Sequence, residues 1–262
     1  MFGLALAALS GSSIVVAQTD IDPLAEYRAL IADDNPAELW VARGEELWKA
    51  PRGSRKDSLE RCDLGLGPGV VRGAYAALPR YFSDAKKVMD LETRLAHCIV
   101  TVQGMAPEEV VRHPYGAASH RSDFEALAAY VVEQSRGMKI TVPLSNAHER
   151  KAYALGEQMF FYRAGTHDFS CATCHSDSGA RIRLQQLPNL TEVEGARKGY
   201  SSWPAYRVSQ GELRTMQWRL NDCLRQQRLP DLGFASEASI ALITYLAHNA
   251  DGGVMAAPGI KR

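Results

Sequence analysis

The sequence predicts a mostly α-helical protein made of two tandem, related domains. Three observations carry this prediction: amphipathic helical patterns separated by Gly- and Pro-rich loops, a repeat of three short motifs, and a Cys/His motif found once, in the second half. The expected domains span 18–145 and 146–262, with the linker near 141–146. The helical patterns cover residues 37–48, 89–102, 124–134, 148–163, 209–227 and 236–248.

Composition narrows the possible partners. Of the 262 residues, 46% are hydrophobic, and 30 Lys and Arg balance 30 Asp and Glu, which gives a formal net charge of zero. This balance argues against generic binding to nucleic acid or to a membrane surface. No apolar run is long enough to span a bilayer, so we expect no nucleic-acid partner and no membrane insertion.

The first residues have the composition of an export signal. Residues 2–17 are apolar and small, carry no charge, and end in Val15-Val16-Ala17, which suits cleavage before Gln18. The alternative is a buried N-terminal helix, but Ser10-Gly-Ser-Ser13 interrupts the apolar pattern. We therefore expect a signal peptide over 1–17 and a mature protein in the periplasm, where disulfides persist.

The Cys/His motif, Cys171-Ala-Thr-Cys174-His175, is the strongest chemical signal in the sequence. Two cysteines at this spacing can form thioether bonds to the vinyl groups of haem, and the adjacent histidine is placed to bind the iron. A zinc half-site or a redox dithiol is the alternative, but no second Cys/His pair lies at close spacing. The motif predicts one covalently bound haem c.

The repeat relates the two halves in the same order along the chain. Residues 44–48 match 156–160, residues 91–98 match 216–223, and residues 126–130 resemble 241–245. In the first register Cys62 stands opposite Cys174, while Leu59 and Asp63 stand opposite Cys171 and His175. The sequence therefore predicts two cytochrome c-like domains, of which the first binds no haem.

The repeat also indicates roles for the remaining cysteines. Cys62 and Cys98 would line the site that the first domain's haem has vacated, close enough to form a disulfide. Two separate buried thiols are the alternative, which an oxidising compartment disfavours. By this count Cys223 has no partner.

A haem bound through His175 has a second axial position that the sequence leaves open. Arg219 precedes Cys223 by four residues, so the two would share a helix face, and nearby guanidinium charge favours a thiolate. A methionine at this position would be typical of an electron-transfer cytochrome. The candidate distal ligands are Met216, Cys223, Met255, His167 and His248.

Several of these runs resemble the SoxA family, the catalytic cytochrome subunits of SoxAX thiosulfate-oxidising complexes. The second half carries Cys171-Ala-Thr-Cys174-His175, Trp203-Pro-Ala-Tyr-Arg207 and Met216-Gln-Trp-Arg219-Leu-Asn-Asp-Cys223. The resemblance covers nearly the whole mature chain. Its other matching runs are 62–69, 73–82, 89–94, 181–190 and 257–262.

The resemblance implies an L-cysteine S-thiosulfotransferase that couples thiosulfate to a cysteine of the carrier protein SoxYZ and releases two electrons. Its partner would be a SoxX-type cytochrome c subunit. A single complete attachment motif is similar to the monohaem type of the family. Through the resemblance, Cys223 takes the role of a distal ligand modified to a persulfide, and Arg219 takes the role of the substrate-binding arginine.

Two rival functions remain open at this point. The chain could be a plain periplasmic electron-transfer cytochrome with Met216 or Met255 as the distal ligand, or a docking subunit with a vestigial haem. The unpaired Cys223 beside Arg219 favours the enzyme, because electron transfer alone needs neither residue.

Overall fold

A computed structural model describes residues 34–117, 120–182 and 185–261. The signal peptide expected over 1–17 lies outside the described residues. All the elements below belong to one compact unit, Asn35–Arg262.

Helices make up most of the regular structure. Two short 3₁₀ helices, Leu59–Arg61 and Tyr75–Ala77, accompany the α-helices. The α-helices of the described residues are α1 (Glu38–Lys49), α2 (Leu91–Thr101), α3 (Pro107–Val110), α4 (Asp123–Glu133), α5 (Ala147–Phe161), α6 (Cys171–His175), α7 (Val193–Tyr200), α8 (Met216–Gln226) and α9 (Glu237–Asn249).

In the part of the chain that the structure describes, short strands form three small sheets among the loops. Strands β1 (Arg80–Phe82) and β2 (Lys87–Met89) make an antiparallel hairpin, as do β3 (Arg181–Ile182) and β4 (Gln185–Gln186). In the third sheet, β5 lies between its antiparallel partner β6 and its parallel partner β7. The bounds of these three strands are Ala205–Arg207, Glu212–Arg214 and Gly259–Lys261.

The helical patterns are confirmed, with one correction. Residues 209–227 were expected to form one helix, but α8 begins only at Met216. Residues Glu212–Arg214 form β6, which pairs with β5 after a turn at Gly211 with a positive φ of 67°. Thr215 is the N-cap, and its side chain accepts a hydrogen bond from the backbone N–H of Trp218. Cross-strand pairing outweighs the helical pattern here.

The two halves repeat one helix packing. A Cβ added at Gly44 of α1 would lie 2.0 Å from the carbonyl oxygen of Ala126 in α4. A Cβ added at Gly156 of α5 would lie at the same distance from the carbonyl oxygen of Ala241 in α9. Only glycine permits this close approach of two helices. The motif match between residues 44–48 and 156–160 therefore reflects equivalent three-dimensional positions.

The halves meet where the N-termini of α2 and α8 face each other. The backbone N–H of Gln217 donates to Oε1 of Glu92 at 3.3 Å, and its side-chain Nε2 donates to Oδ2 of Asp90 at 2.6 Å. All three residues are buried. In the repeat register Glu92 and Gln217 are equivalent residues, so the contact joins matching helix ends.

Buried aromatic side chains support both halves. Trp40, Trp48, Trp203 and Trp218 are all buried. Among the residues with described coordinates, no helix combines the length and the apolar character needed to cross a membrane.

Candidate active site

The Cys/His motif forms a capped single turn of helix, α6. The Ser170 hydroxyl accepts from the backbone N–H of Thr173 at 3.2 Å, and the Thr173 hydroxyl accepts from the backbone N–H of Ser170 at 3.0 Å. This reciprocal capping box stabilises a helix too short to form alone. It places the free thiols of Cys171 and Cys174 one turn apart, on the same side.

His175 is held in the orientation of a metal ligand. Its Nδ1–H donates to the carbonyl oxygen of Pro188 at 2.9 Å, because a carbonyl can only accept. Burial lowers the pKa of the imidazole, and the nearby charge of Arg219 lowers it further. His175 is therefore neutral, with Nε2 unprotonated and available to a metal.

This donor set fits a covalently attached haem. Two thiols one helical turn apart match the two thioether bonds, and a neutral imidazole fixed through its other nitrogen matches an axial iron ligand. Burial raises the pKa of the Cys171 thiol to about 11, so this cysteine is an unionised, apolar-packed thiol in the protein fold itself.

Helix α8 brings a third thiol to the same place. Cys223 follows Arg219 by one turn, and its sulfur lies within electrostatic range of Cys174. Cys171 and Cys223 are also within electrostatic range of each other. Three cysteines, two on α6 and one on α8, therefore lie near one another.

Arg219 is anchored from two sides. Its Nη1 donates to Oδ2 of Asp222 at 2.9 Å, and its guanidinium carbon lies 5.8 Å from the ring centre of Trp203. Asp222 also accepts from Gln226 and lies 3.7 Å from the guanidinium of Arg225. A fixed guanidinium beside a free thiol is suited to holding an oxyanion next to a reactive sulfur.

The pKa of Cys223 departs from the sequence expectation. The arginines of α8 were expected to favour a thiolate, but burial raises the pKa of the thiol above its ordinary value and outweighs the lowering by Arg219. Desolvation of a thiolate costs more here than the charge of Arg219, which is about a quarter exposed, returns. The charge of Arg219 alone therefore does not keep the sulfur ionised.

The structure shows the surroundings of the other candidate ligands. Met216 is buried in the first turn of α8, seven residues from Cys223 and so about 10 Å away along the axis. Met255 is buried in the core. His248 donates through Nδ1 to the carbonyl oxygen of Val142 at 3.1 Å, and His167 is exposed and packs near Phe169.

The equivalent place in the first half is closed. Cys62 and Cys98 are joined by a disulfide with a Cα–Cα distance of 5.6 Å, and both are buried. Asp63, opposite His175 in the repeat, accepts at Oδ1 from the backbone N–H groups of Gly65 and Gly67 at 2.6 and 2.9 Å. Its carboxylate caps a turn and is not available as a ligand.

Sequence reasoning assigned no role to two residues that the structure places at this site. Asp222 orients Arg219, and Arg207 of β5 lies within electrostatic range of both Arg219 and Cys223. Arg207 stands in a run that the resemblance includes, 203–207, but its proximity to α8 depends on the β5–β6 hairpin. The spacing in the sequence carries no such signal.

Comparisons with known proteins identify a matching family and similar proteins. The model of the family described as SoxA/TsdA, cytochrome c domain, matches residues 43–140 and 155–255, one segment in each half. A protein of Hydrogenophilus thermoluteolus named L-cysteine S-thiosulfotransferase subunit SoxA is 54% identical over 237 residues, covering 90% of this chain and 86% of its own length.

Two further relatives are more distant. A protein of Hydrogenobacter thermophilus with the same name is 36% identical, covering 87% of this chain and 82% of its own length. The crystal structure of SoxXA from P. pantotrophus has a chain of the same fold, with a TM-score of 0.73 at 24% identity. That match covers 90% of this chain and 84% of the other.

Proposed function

The chain belongs to the SoxA/TsdA cytochrome c family, and we propose on that premise that it is an L-cysteine S-thiosulfotransferase. It oxidatively couples thiosulfate to a cysteine thiol of a carrier protein of the SoxYZ kind. Relatives named L-cysteine S-thiosulfotransferase subunit SoxA, at 54% and 36% identity over most of the chain, support this activity.

A cytochrome c domain implies haem c, and the proposed holoprotein carries one such group. Cys171 and Cys174 would hold it covalently, and His175 and Cys223 would bind its iron. When bound, the haem supplies a one-electron redox centre. The domain spanning 146–262 binds it, and the domain spanning 18–145, closed by the Cys62–Cys98 disulfide, does not.

Arg219 binds the substrate. Thiosulfate is a dianion with a sulfonate end and a sulfur end. The guanidinium of Arg219, fixed by Asp222, offers parallel N–H donors to the sulfonate oxygens. Because Cys223 lies one turn further along α8, an anion held at Arg219 presents its outer sulfur toward the cysteine.

Cys223 carries the covalent step. As a persulfide, its outer sulfur joins the outer sulfur of thiosulfate, forming one S–S bond and releasing two electrons. The carrier thiolate then attacks the thiosulfate sulfur, so that the carrier S–S bond forms, the bond to Cys223 breaks and the persulfide is restored. Overall, carrier thiol and thiosulfate give carrier S-thiosulfonate, one proton and two electrons.

The electrons pass to a SoxX-type cytochrome c subunit, with which this chain forms a heterodimer. A chain of the same fold occurs in the structure named SoxXA, which supports this pairing. The reaction takes place in the periplasm, consistent with the apolar segment 2–17 and with a disulfide between Cys62 and Cys98.

One observation carries the proposal over a plain electron carrier. A free cysteine, Cys223, lies near the haem-attachment helix with a guanidinium one turn away, while Met216 and Met255 are packed into the core. The test is a coupling assay in which carrier protein, thiosulfate and the haem-loaded complex are mixed with an electron acceptor. Addition of one thiosulfonate mass to the carrier cysteine is expected, and an unmodified carrier would contradict the proposal.

A further inference from the structure

We infer that Arg207 is a second anion-binding residue of this site, and that it holds the sulfonate end of thiosulfate together with Arg219. The inference rests on the function proposed above for its choice of anion. It is carried by the placement of Arg207, by its lack of a protein partner and by the charge of the cluster it joins.

The strand places Arg207 on the side of the site. Side chains alternate along β5, and the central residue, Tyr206, packs against Trp40 at 5.6 Å between ring centres. Ala205 therefore faces the other way and is buried in the core cluster that contains Ala172 of α6. Arg207 shares that second face with Arg214, the cross-strand partner of Ala205, whose guanidinium carbon lies 4.8 Å from the ring centre of Trp218 in α8.

Arg207 has no partner among the residues that the structure describes. Its Nε is buried without a hydrogen bond, and no carboxylate forms an ion pair with its guanidinium. Oε2 of Glu212, its cross-strand neighbour, lies beside Gly116, makes no ion pair with Arg207 and is itself buried without a hydrogen-bond partner. A half-buried guanidinium without an acceptor is a costly arrangement, which binding of an anion relieves.

The local charge fits a dianion. Arg207 and Arg219 are close enough for the charge of Arg219 to lower the pKa of Arg207, and the single carboxylate acting on both is Asp222. Two guanidinium groups and one carboxylate leave net positive charge beside Cys223. A substrate with two negative charges neutralises it, and two planar donor groups fix the orientation of a sulfonate better than one.

The experiment measures thiosulfate affinity without turnover. Calorimetric titration of the haem-loaded complex, with neither carrier protein nor electron acceptor present, gives Kd for wild type, Arg207→Gln and Arg207→Lys. Loss of a charge-assisted contact is expected to weaken binding by roughly tenfold to a hundredfold in Arg207→Gln. Arg207→Lys, which keeps the charge, should recover most of that loss.

The matched control is Arg61→Gln, which removes one positive charge from an exposed arginine paired with Asp57 in the first half. It should leave Kd unchanged within about twofold. The haem spectrum and the unfolding temperature show whether each variant is folded, and Arg207→Met, which keeps the aliphatic stem, replaces Arg207→Gln if the glutamine destabilises the fold. An Arg207→Gln or Arg207→Met complex that binds thiosulfate within twofold of wild type overturns the inference.

Steady-state kinetics separates this inference from the function on which it rests. With carrier protein present, KM for thiosulfate should rise roughly tenfold to a hundredfold in Arg207→Gln while kcat changes less than about threefold. If the wild-type complex does not couple thiosulfate but Arg207→Gln still weakens thiosulfate binding, the proposed reaction is wrong and the anion-binding role of Arg207 stands.

Discussion

The two halves of the molecule build the same scaffold and use its centre in opposite ways. In the first half the cysteines at the centre, Cys62 and Cys98, are bonded to each other and buried. In the second half Cys174 and Cys223 occupy the equivalent positions and remain free, together with Cys171. One scaffold therefore serves as a closed structural core in one half and as a site with three available thiols in the other.

The equivalent arginines show the same contrast. Arg94 of α2 is buried, donates to the carbonyl oxygen of Asp63 at 2.6 Å and to both carboxylate oxygens of Asp84 at 2.8 and 3.0 Å, and lies 4.0 Å from the ring centre of Phe82. Arg219 of α8 makes one carboxylate hydrogen bond and is about a quarter exposed. The first arginine uses Nε and Nη1 on partners within the protein, whereas the second uses only Nη1 and retains Nε and Nη2 for a ligand.

The largest effect is expected when the cysteines of the two halves are replaced in turn. Cys223→Ala should lower the coupling rate by about a thousandfold or more, because it removes the sulfur that carries the covalent step. The haem should remain attached through Cys171 and Cys174. The Cys62→Ser/Cys98→Ser double variant, assayed below its unfolding temperature, should retain the rate within about twofold. Full activity in Cys223→Ala would contradict the account.

The same double variant tests the structural role of the first half. The disulfide closes a loop with a sequence separation of 36, so its loss should lower the free energy of unfolding by about 4 kcal/mol through the entropy of the unfolded chain. Denaturant titration of the haem-loaded protein measures this. A change below about 1 kcal/mol would mean that the bond does not stabilise the closed core.

Substitution of the equivalent arginines Arg219 and Arg94 should give smaller effects, one on substrate binding and the other on stability. Arg219→Gln should raise KM for thiosulfate by roughly tenfold to a hundredfold with little change in stability. Arg94→Gln should lower the free energy of unfolding by about 2 kcal/mol and leave KM unchanged, because its contacts are internal. Steady-state kinetics and denaturant titration of both variants test this expectation. A raised KM in Arg94→Gln would contradict the distinction between a structural Arg94 and a substrate-binding Arg219.

The smallest effect concerns the contact between the halves. Burial beside Asp90 raises the pKa of Glu92 to about 8. The folded protein therefore binds a proton that the unfolded chain releases near pH 4.5. Stability should fall as pH rises from about 4.5 to about 8.

Glu92→Gln copies the residue of the second half, Gln217, and should flatten this dependence. Glu125, whose pKa burial raises to about 7 opposite Arg214, contributes in the same direction, so some slope should remain. The measurement is the free energy of unfolding of wild type and Glu92→Gln at several pH values. An unchanged slope in Glu92→Gln would assign the pH dependence to other groups.

Local patterns predicted much of this arrangement. The helices around Gly44 and Gly156, the attachment motif and the equivalence of Cys98 and Cys223 follow from periodicity and repetition in the sequence. The strand at Glu212–Arg214 was missed because cross-strand pairing decides it, and no periodicity records that pairing.

Features that depend on tertiary proximity could not be predicted from the sequence. The raised pKa of Cys223 results from burial, and the four-residue spacing from Arg219 gives no information on burial. The position of Arg207 depends on a hairpin that returns β5 to α8, so its proximity to that helix has no spacing signal. Asp222 follows Arg219 by three residues on α8, a spacing that could have indicated the pair.

The central claim is that the Cys62–Cys98 disulfide takes the place of a haem site in the first half, and that the second half holds the haem. Mass spectrometry of the mature protein, intact and after non-reducing digestion, tests it directly. The account predicts one haem, on the peptide that contains Cys171 and Cys174, a disulfide-linked pair of peptides containing Cys62 and Cys98, and one added sulfur on the peptide containing Cys223. A second haem, or free thiols at Cys62 and Cys98, would contradict it.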